Sequence, residues 1–84
     1  MEDYAILEEF LALLELNNIT IRKVHMDGRG GGLCKIKDKS IFFVDEDALT
    51  TDSVAICAQA VRRIVDIEQI YLKPQVRDFL KKNT

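Results

Sequence analysis

The sequence predicts an α+β fold: a helix, a three-stranded antiparallel meander, a second helix and a short C-terminal helix. Apolar residues recur at helical spacing in three segments, and three short runs typical of strands lie between the first two of them. All four glycines fall within residues 28–32, between two of the predicted strands. A chain of 84 residues can form one hydrophobic core, so we expect a single domain over residues 1–84.

Residues 3–16 are predicted to form the first helix. Their apolar side chains repeat at intervals of three and four residues, at Ile6, Leu7, Phe10, Leu13 and Leu14. We expect Asp3 to cap the N-terminus. Asn17 and Asn18 are expected to close the other end, because asparagine tolerates a left-handed backbone.

The first predicted strand begins at Ile19, where residues 19–22 alternate between apolar and polar side chains. The alternation then slips, because Val24 and Met26 fall on the opposite parity from Ile19. A β-bulge near Arg22, or the end of the core-facing part of the strand, would account for the slip.

Two further strands, at residues 33–37 and 40–45, are predicted to form an antiparallel hairpin that turns at Asp38 and Lys39. The pairs that follow from this turn are Ile36 with Ile41 and Cys34 with Phe43.

The predicted pairing divides the hairpin side chains between two faces of the sheet. We expect the two long helices to cover the first face, which holds Cys34, Ile36, Ile41 and Phe43. The second face mixes apolar side chains with lysine stems, and it holds Leu33, Lys35, Lys37, Phe42 and Val44. Contiguous exposed apolar patches normally mark an interface. We therefore predict a homodimer with Leu33, Phe42 and Val44 at its contact surface, unless the short C-terminal helix covers them.

The second helix is predicted to start within residues 50–53, where hydroxyl groups can cap it and Asp52 suits the positive end of the helix dipole. Its buried stripe is Val54, Cys57, Val61, Ile64 and Val65. After an extended link at residues 70–72, Pro74 suits the first turn of the last helix. The inward residues of that helix are Val76, Phe79 and Leu80.

The net charge of −2 hides a segregation of charge along the chain. Residues 1–16 contain acidic residues and no basic ones. Residues 17–40 are rich in bases, at Arg22, Lys23, Arg29, Lys35, Lys37 and Lys39. Such runs are typical of solvated surfaces, and they also suit an anionic partner. Because the whole chain is acidic and has no recognised motif, nucleic acid is a possible partner but not the favoured one.

The glycine-rich segment has two interpretations. Glycines that cradle a phosphate lead into a helix, whereas these lead into a strand, which favours a flexible connection. The alternative is a backbone site that grips a partner, because glycines can leave N–H groups accessible. The candidate partner-binding residues are Arg22, Lys23, His25, Arg29, Gly30, Gly31, Gly32 and Lys35.

Catalysis and metal binding have little support in the sequence. His25 is the only histidine, Cys34 and Cys57 are the only cysteines, and neither Cys-x-x-Cys nor paired histidines occur. We therefore predict no catalytic residue, no cofactor and no metal site, and expect both cysteines to be buried thiols. The acidic N-terminus and the shortness of every apolar run predict a cytoplasmic protein without a membrane segment.

The order of elements over residues 1–65 resembles the core of the ImmA/IrrE-type zinc peptidases, in which a strand precedes a helix with the motif His-Glu-x-x-His. Here residues 42–45 look like that strand, and residues 50–53 are similar to the polar start of that helix. The positions of the first ligand, the general base and the second ligand then hold Gln59, Ala60 and Arg63. Alanine cannot accept a proton and arginine is a fixed cation, so the resemblance implies a non-catalytic relative.

We therefore predict a small cytoplasmic protein of bacterial type that is not an enzyme. It would act as a homo-oligomeric interaction module, with itself or an unidentified protein as partner. One alternative is a regulator that binds nucleic acid or another polyanion through residues 22–39. The other is a small ligand-binding domain or enzyme that uses the glycine-rich segment.

Overall fold

Six elements of secondary structure follow one another along residues 2–82, the part of the chain that the computed structural model describes. They are α1 (Asp3–Leu16), β1 (Thr20–Val24), β2 (Gly32–Ile36), β3 (Lys39–Asp45), α2 (Thr50–Ile64) and α3 (Pro74–Lys82). The predicted α+β class and the order of the elements are confirmed.

The sheet is mixed, and the predicted antiparallel meander is wrong. The strand order is β1-β3-β2, with β1 parallel to β3 and β2 antiparallel to β3. A tight turn after β1 would have placed β2 beside β1. Residues 25–31 instead carry the chain past the end of β3 to its far side. The register of β1 on β3 is unbroken from Thr20 to Val24, so it contains no bulge near Arg22.

The hairpin of β2 and β3 turns one residue earlier than predicted. Lys37 and Asp38 form the turn, and Lys37 has a left-handed backbone with φ of 56°. The observed pairs include Ile36 with Lys39, Cys34 with Ile41 and Gly32 with Phe43. Moving a two-residue turn by one position shifts every pair by two residues, so each side chain keeps its predicted companions on a face.

The helices cover the opposite face of the sheet from the one predicted. Phe42 is 1% exposed and Val44 is 7% exposed, and both lie in a core that includes side chains from all three helices. Leu33 is partly buried against the same core. The expectation that Phe42 and Val44 lie at a dimer contact is therefore wrong, because the core already surrounds them.

The helices form a layer against this inner face. α1 and α2 pack against each other and contact the sheet, while α3 packs against α1. The rings of Phe10 and Phe79 meet edge to face with centroids 5.8 Å apart. Within residues 2–82, none of the helices has the length and apolar character that a bilayer crossing requires.

The helix ends differ in part from their predicted caps. The N-cap residues are Glu2 and Leu49, and neither makes a side-chain cap, so capping by Asp3 and by the hydroxyls of residues 50–53 is wrong. Asn18 closes the far end of α1 in the left-handed conformation, at φ of 66°, as predicted.

Candidate functional site

The connection of residues 25–31 passes the C-terminal end of β3 and is held there by Asp45. The Asp45 carboxylate accepts hydrogen bonds from the backbone N–H groups of Met26 at 3.0 Å, Gly30 at 2.9 Å and Asp47 at 2.9 Å. Asp45 is only 1% exposed, although its strand position points it away from the helices. One side chain therefore fixes both ends of the loop to the sheet.

Asp45 remains ionised in this position. Burial alone would raise the pKa of Asp45, but hydrogen bonds from backbone N–H groups, including those of Asp47, Met26 and Gly30, outweigh burial and lower it below 3.8. An anion belonging to the chain thus already fills the concavity that the loop N–H groups form. The expectation that the glycines leave their N–H groups accessible to a partner is wrong for Gly30, whose N–H is bonded to Asp45.

Three glycines are needed to build this loop. Gly28 and Gly30 have φ values of 77° and 84°, in the region that glycine adopts without steric cost. A Cβ on Gly31 would lie 1.7 Å from the carbonyl oxygen of Phe43, well inside contact distance. The glycine-rich composition is therefore explained by the path of the chain, as the connection interpretation predicts.

A second carboxylate, that of Asp47, holds the start of the loop. Its Oδ1 lies 2.8 Å from Nδ1 of His25, and its Oδ2 accepts a hydrogen bond from the N–H of Asp27 at 3.1 Å. Nε2 of His25 lies 3.3 Å from Oε2 of Glu46. The hydrogen bond to Asp47 and the charge of Asp47 raise the pKa of His25 above 6.5, against a smaller effect of desolvation. The role visible for His25 is to fix the loop.

Sequence reasoning missed Asp45 and Asp47 as the anchors of the glycine-rich segment. A signal for them exists, because an acidic run at residues 45–47 directly follows an apolar strand and the glycines offer unpaired N–H groups. Using that signal requires the strand order, because β2 brings Gly30 to Asp45, and the parallel strand β1 brings Met26 and Asp27 to Asp45 and Asp47 at the same end of β3.

The candidate partner-binding residues do not converge on one surface. Arg22 lies on the outer side of the sheet, whereas Lys23 pairs with Glu8 of α1 at 3.4 Å. Arg29 lines a shallow cleft of about 280 Å³ between the loop and the N-terminal half of α2. Lys35 is exposed on the edge strand β2. The basic segment is therefore dispersed around the sheet.

The outer face of the sheet is the face that points away from α1 and α2. Its apolar members are Val24, Cys34, Ile36, Ile41 and Phe43, and its basic members are Arg22 and Lys39. Ile36 is 51% exposed, and Ile41 and Phe43 are half-buried. Cys34 is exposed, so its predicted burial is wrong, whereas Cys57 is buried as predicted.

Phe43 occupies the middle of the outer face. It pairs with Arg22 on β1 and with Gly32 on β2. Because Gly32 has no side chain, no cross-strand neighbour stands beside the ring on that side. The result is a flat apolar surface with a guanidinium on one flank.

The two cysteines and the three α2 residues compared with the peptidase motif lie in different environments. Burial raises the pKa of Cys57 to about 12, which keeps its thiol protonated and unreactive. Gln59 and Arg63 are exposed and Ala60 is buried. Among residues 2–82, no three side chains of His, Cys, Asp or Glu come together as a potential metal-binding group.

Comparison with known proteins found no matching family model, no matching curated protein and no matching solved structure. The similarity to the zinc peptidases stays a prediction, and the candidate site is interpreted from its geometry.

Proposed function

We propose that this protein is a non-catalytic interaction module that binds a second copy of itself through the outer face of the sheet. The observation that carries the proposal is the apolar surface of Ile36, Ile41 and Phe43, on adjacent strands that turn these side chains away from the helices. A sheet that is apolar on both faces gains stability when both faces are covered. The proposal keeps the predicted homodimer and moves its contact surface from Phe42 to Phe43.

The shape of the face supports a second copy as the occupant, and its charges are placed where they do not prevent contact. Two identical sheet faces can pack with their strands about 30° apart and interdigitate their apolar side chains. Arg22 belongs to the edge strand β1, and Lys39 is the first residue of β3. Both cations therefore lie at the rim of the face, where they stay in contact with water, as the polar rim of an interface does.

Edge-to-edge pairing is a less suitable mode of association. The edge strand β1 carries Arg22 and Lys23, and the edge strand β2 carries Lys35. Charged side chains on edge strands oppose the addition of another strand, and identical edges would bring like charges together. The face of the sheet is therefore the better contact surface.

The size of the outer face predicts weak association. Three strands about 4.8 Å apart, with five residues of β3 paired to each neighbouring strand at about 3.3 Å per residue, give a projected area of roughly 240 Å². A standard protein interface takes about 800 Å² from each partner. We expect a monomer–dimer equilibrium with a dissociation constant in the micromolar range or weaker.

Analytical ultracentrifugation over a concentration series tests this proposal. The unmodified protein should shift from monomer to dimer as its concentration rises, and Phe43→Glu should remain monomeric with an unchanged circular dichroism spectrum. Tyr71→Glu is the matched control, because it places the same charge on an aromatic residue that is 83% exposed and outside the sheet. A wild-type protein that stays monomeric at millimolar concentration contradicts the proposal.

A second candidate function is the binding of single-stranded nucleic acid. Its specific support is the pairing of Phe43 with Arg22 and Gly32, since an aromatic ring beside a guanidinium on an open sheet can stack on a base. Fluorescence anisotropy with a labelled oligonucleotide tests it. Affinity should fall steeply with salt and be lost in Phe43→Ala, and binding that ignores salt contradicts this function.

A further inference from the structure

A basic cleft lies between the C-terminal part of α2 and α3. Its volume is about 200 Å³, and it is lined by Arg62, Ile67, Glu68, Arg77, Leu80 and Lys81. Three of these residues are cations and one is a carboxylate. The cleft shares no residue with the outer face of the sheet.

The guanidinium of Arg62 is only partly satisfied. Its Nη2 donates a hydrogen bond to the carbonyl oxygen of Leu80, near the end of α3. Its Nε is buried and has no hydrogen-bond partner within residues 2–82. Buried polar groups are almost always paired, so this orphaned donor shows that the guanidinium of Arg62 has unused hydrogen-bonding capacity at the cleft that the residue lines.

Arg77 adds a second guanidinium to the lining of the cleft. Its Nη2 donates to the carbonyl oxygen of Ile70 at 3.4 Å, a long hydrogen bond. The ion pairs found within residues 2–82 involve neither Arg62 nor Arg77. Arg62 lies in the last turn of α2, where the helix dipole favours a cation, whereas Arg77 lies near the start of α3. Each guanidinium carries five N–H donors, and interaction with a helix dipole provides none of them with a hydrogen-bond acceptor.

We propose that this cleft binds a small dianionic group of the phosphate type, either inorganic phosphate or the phosphoryl group of a larger ligand. Guanidinium groups bind phosphate oxygens with paired hydrogen bonds, and Arg62 and Arg77 both line this cleft. The volume is below the roughly 300 Å³ at which pockets for drug-sized molecules begin. The cleft therefore suits one anionic group, while the remainder of any larger ligand stays outside.

Titration with sodium phosphate at constant ionic strength tests this proposal, followed by thermal unfolding and by ¹H–¹⁵N spectra. We expect a saturable rise in melting temperature and chemical-shift changes confined to residues near Arg62 and Arg77. Sodium chloride at the same ionic strength should produce neither. O-phosphoserine binding more tightly than phosphate would identify a larger ligand as the source, and equal or weaker binding would identify the free ion.

A variant of the cleft gives the second arm of the test. Arg77→Gln should weaken phosphate binding at least ten-fold, whereas the control Lys35→Gln, on the distant edge strand β2, should leave it unchanged. Arg62 is left intact, because it also holds the end of α3. The proposal is overturned if phosphate has no larger effect on the protein than sodium chloride at the same ionic strength. It is also overturned if Lys35→Gln loses as much phosphate binding as the cleft variant. Neither result bears on self-association through the sheet.

Discussion

The two faces of the central strand β3 are similar in composition and opposite in environment. Phe42 and Val44 point into the core, whereas Ile41 and Phe43 point away from the helices and remain half-buried. Each face therefore carries one aromatic and one β-branched residue. This difference shows that the alternation of side chains along a strand identifies which of them share a face, and that the packing of the helices decides which face becomes the core.

The largest expected effect is the difference in stability loss between substitutions of Phe42 and Phe43. Phe42→Ala should lower the free energy of unfolding by about 4 kcal/mol, because it removes a fully buried ring and leaves a cavity. Phe43→Ala should cost about 1 kcal/mol in the monomer, because its ring is only partly removed from water. Chemical denaturation of both variants at low protein concentration measures the difference. Equal losses would mean that the outer face is as buried as the core.

The next effect concerns Gly31, where the loop closes against β3. Gly31→Ala should lower the free energy of unfolding by about 3 kcal/mol, because its Cβ would clash with the Phe43 carbonyl oxygen and force the backbone to move. The same denaturation assay measures it. A variant as stable as the wild type would show that the loop can leave the end of β3 without cost.

Asp45 is an exception to the division of the sheet into a buried inner face and a more exposed outer face. It belongs to the outer side and is nevertheless buried under the loop. Its lowered pKa means that the folded state favours the charged carboxylate. The resulting stability is present above the ordinary carboxyl pKa of 3.8 and is lost as pH falls through the lowered value.

We therefore expect Asp45→Asn to be less stable than the wild type at pH 7, with the gap between them shrinking toward pH 3. Unfolding curves at a series of pH values measure this gap. Asp38→Asn is the matched control, because Asp38 is exposed in the hairpin turn. A constant gap across the acid range would show that the charge of Asp45 does not stabilise the loop.

The smallest expected effect is at Arg29. Arg29→Ala should change the free energy of unfolding by no more than about 0.5 kcal/mol, because its side chain is exposed and the hydrogen bonds described above join Asp45 and Asp47 to other residues of the loop. If the loop is only a connection, Arg29→Ala should also bind any protein partner with the same affinity as the wild type. Loss of partner binding with unchanged melting would instead assign the loop a role in contact.

The candidate site was predictable in part. Glycine at positions 28, 30 and 31 signals an unusual path between two strands, and the structure bears that out through two positive φ angles and one close backbone approach. The outer face was predictable as a group of side chains, since Ile36, Ile41 and Phe43 share it in either register. The sequence did not predict which face of the sheet the helices would cover, because both faces are apolar.

The sequence by itself determined the six elements, most of their boundaries, and which side chains of each strand lie together, because periodicity and turn residues act over a few neighbouring positions. Only the tertiary structure decided that β3 lies between β1 and β2, that Phe42 faces the helices, and that Asp45 holds the loop. These outcomes depend on contacts between residues far apart in the sequence, such as Gly30 with Asp45 and Thr20 with Ile41. Their free energies exist only once the whole chain has packed, so no local pattern reports them.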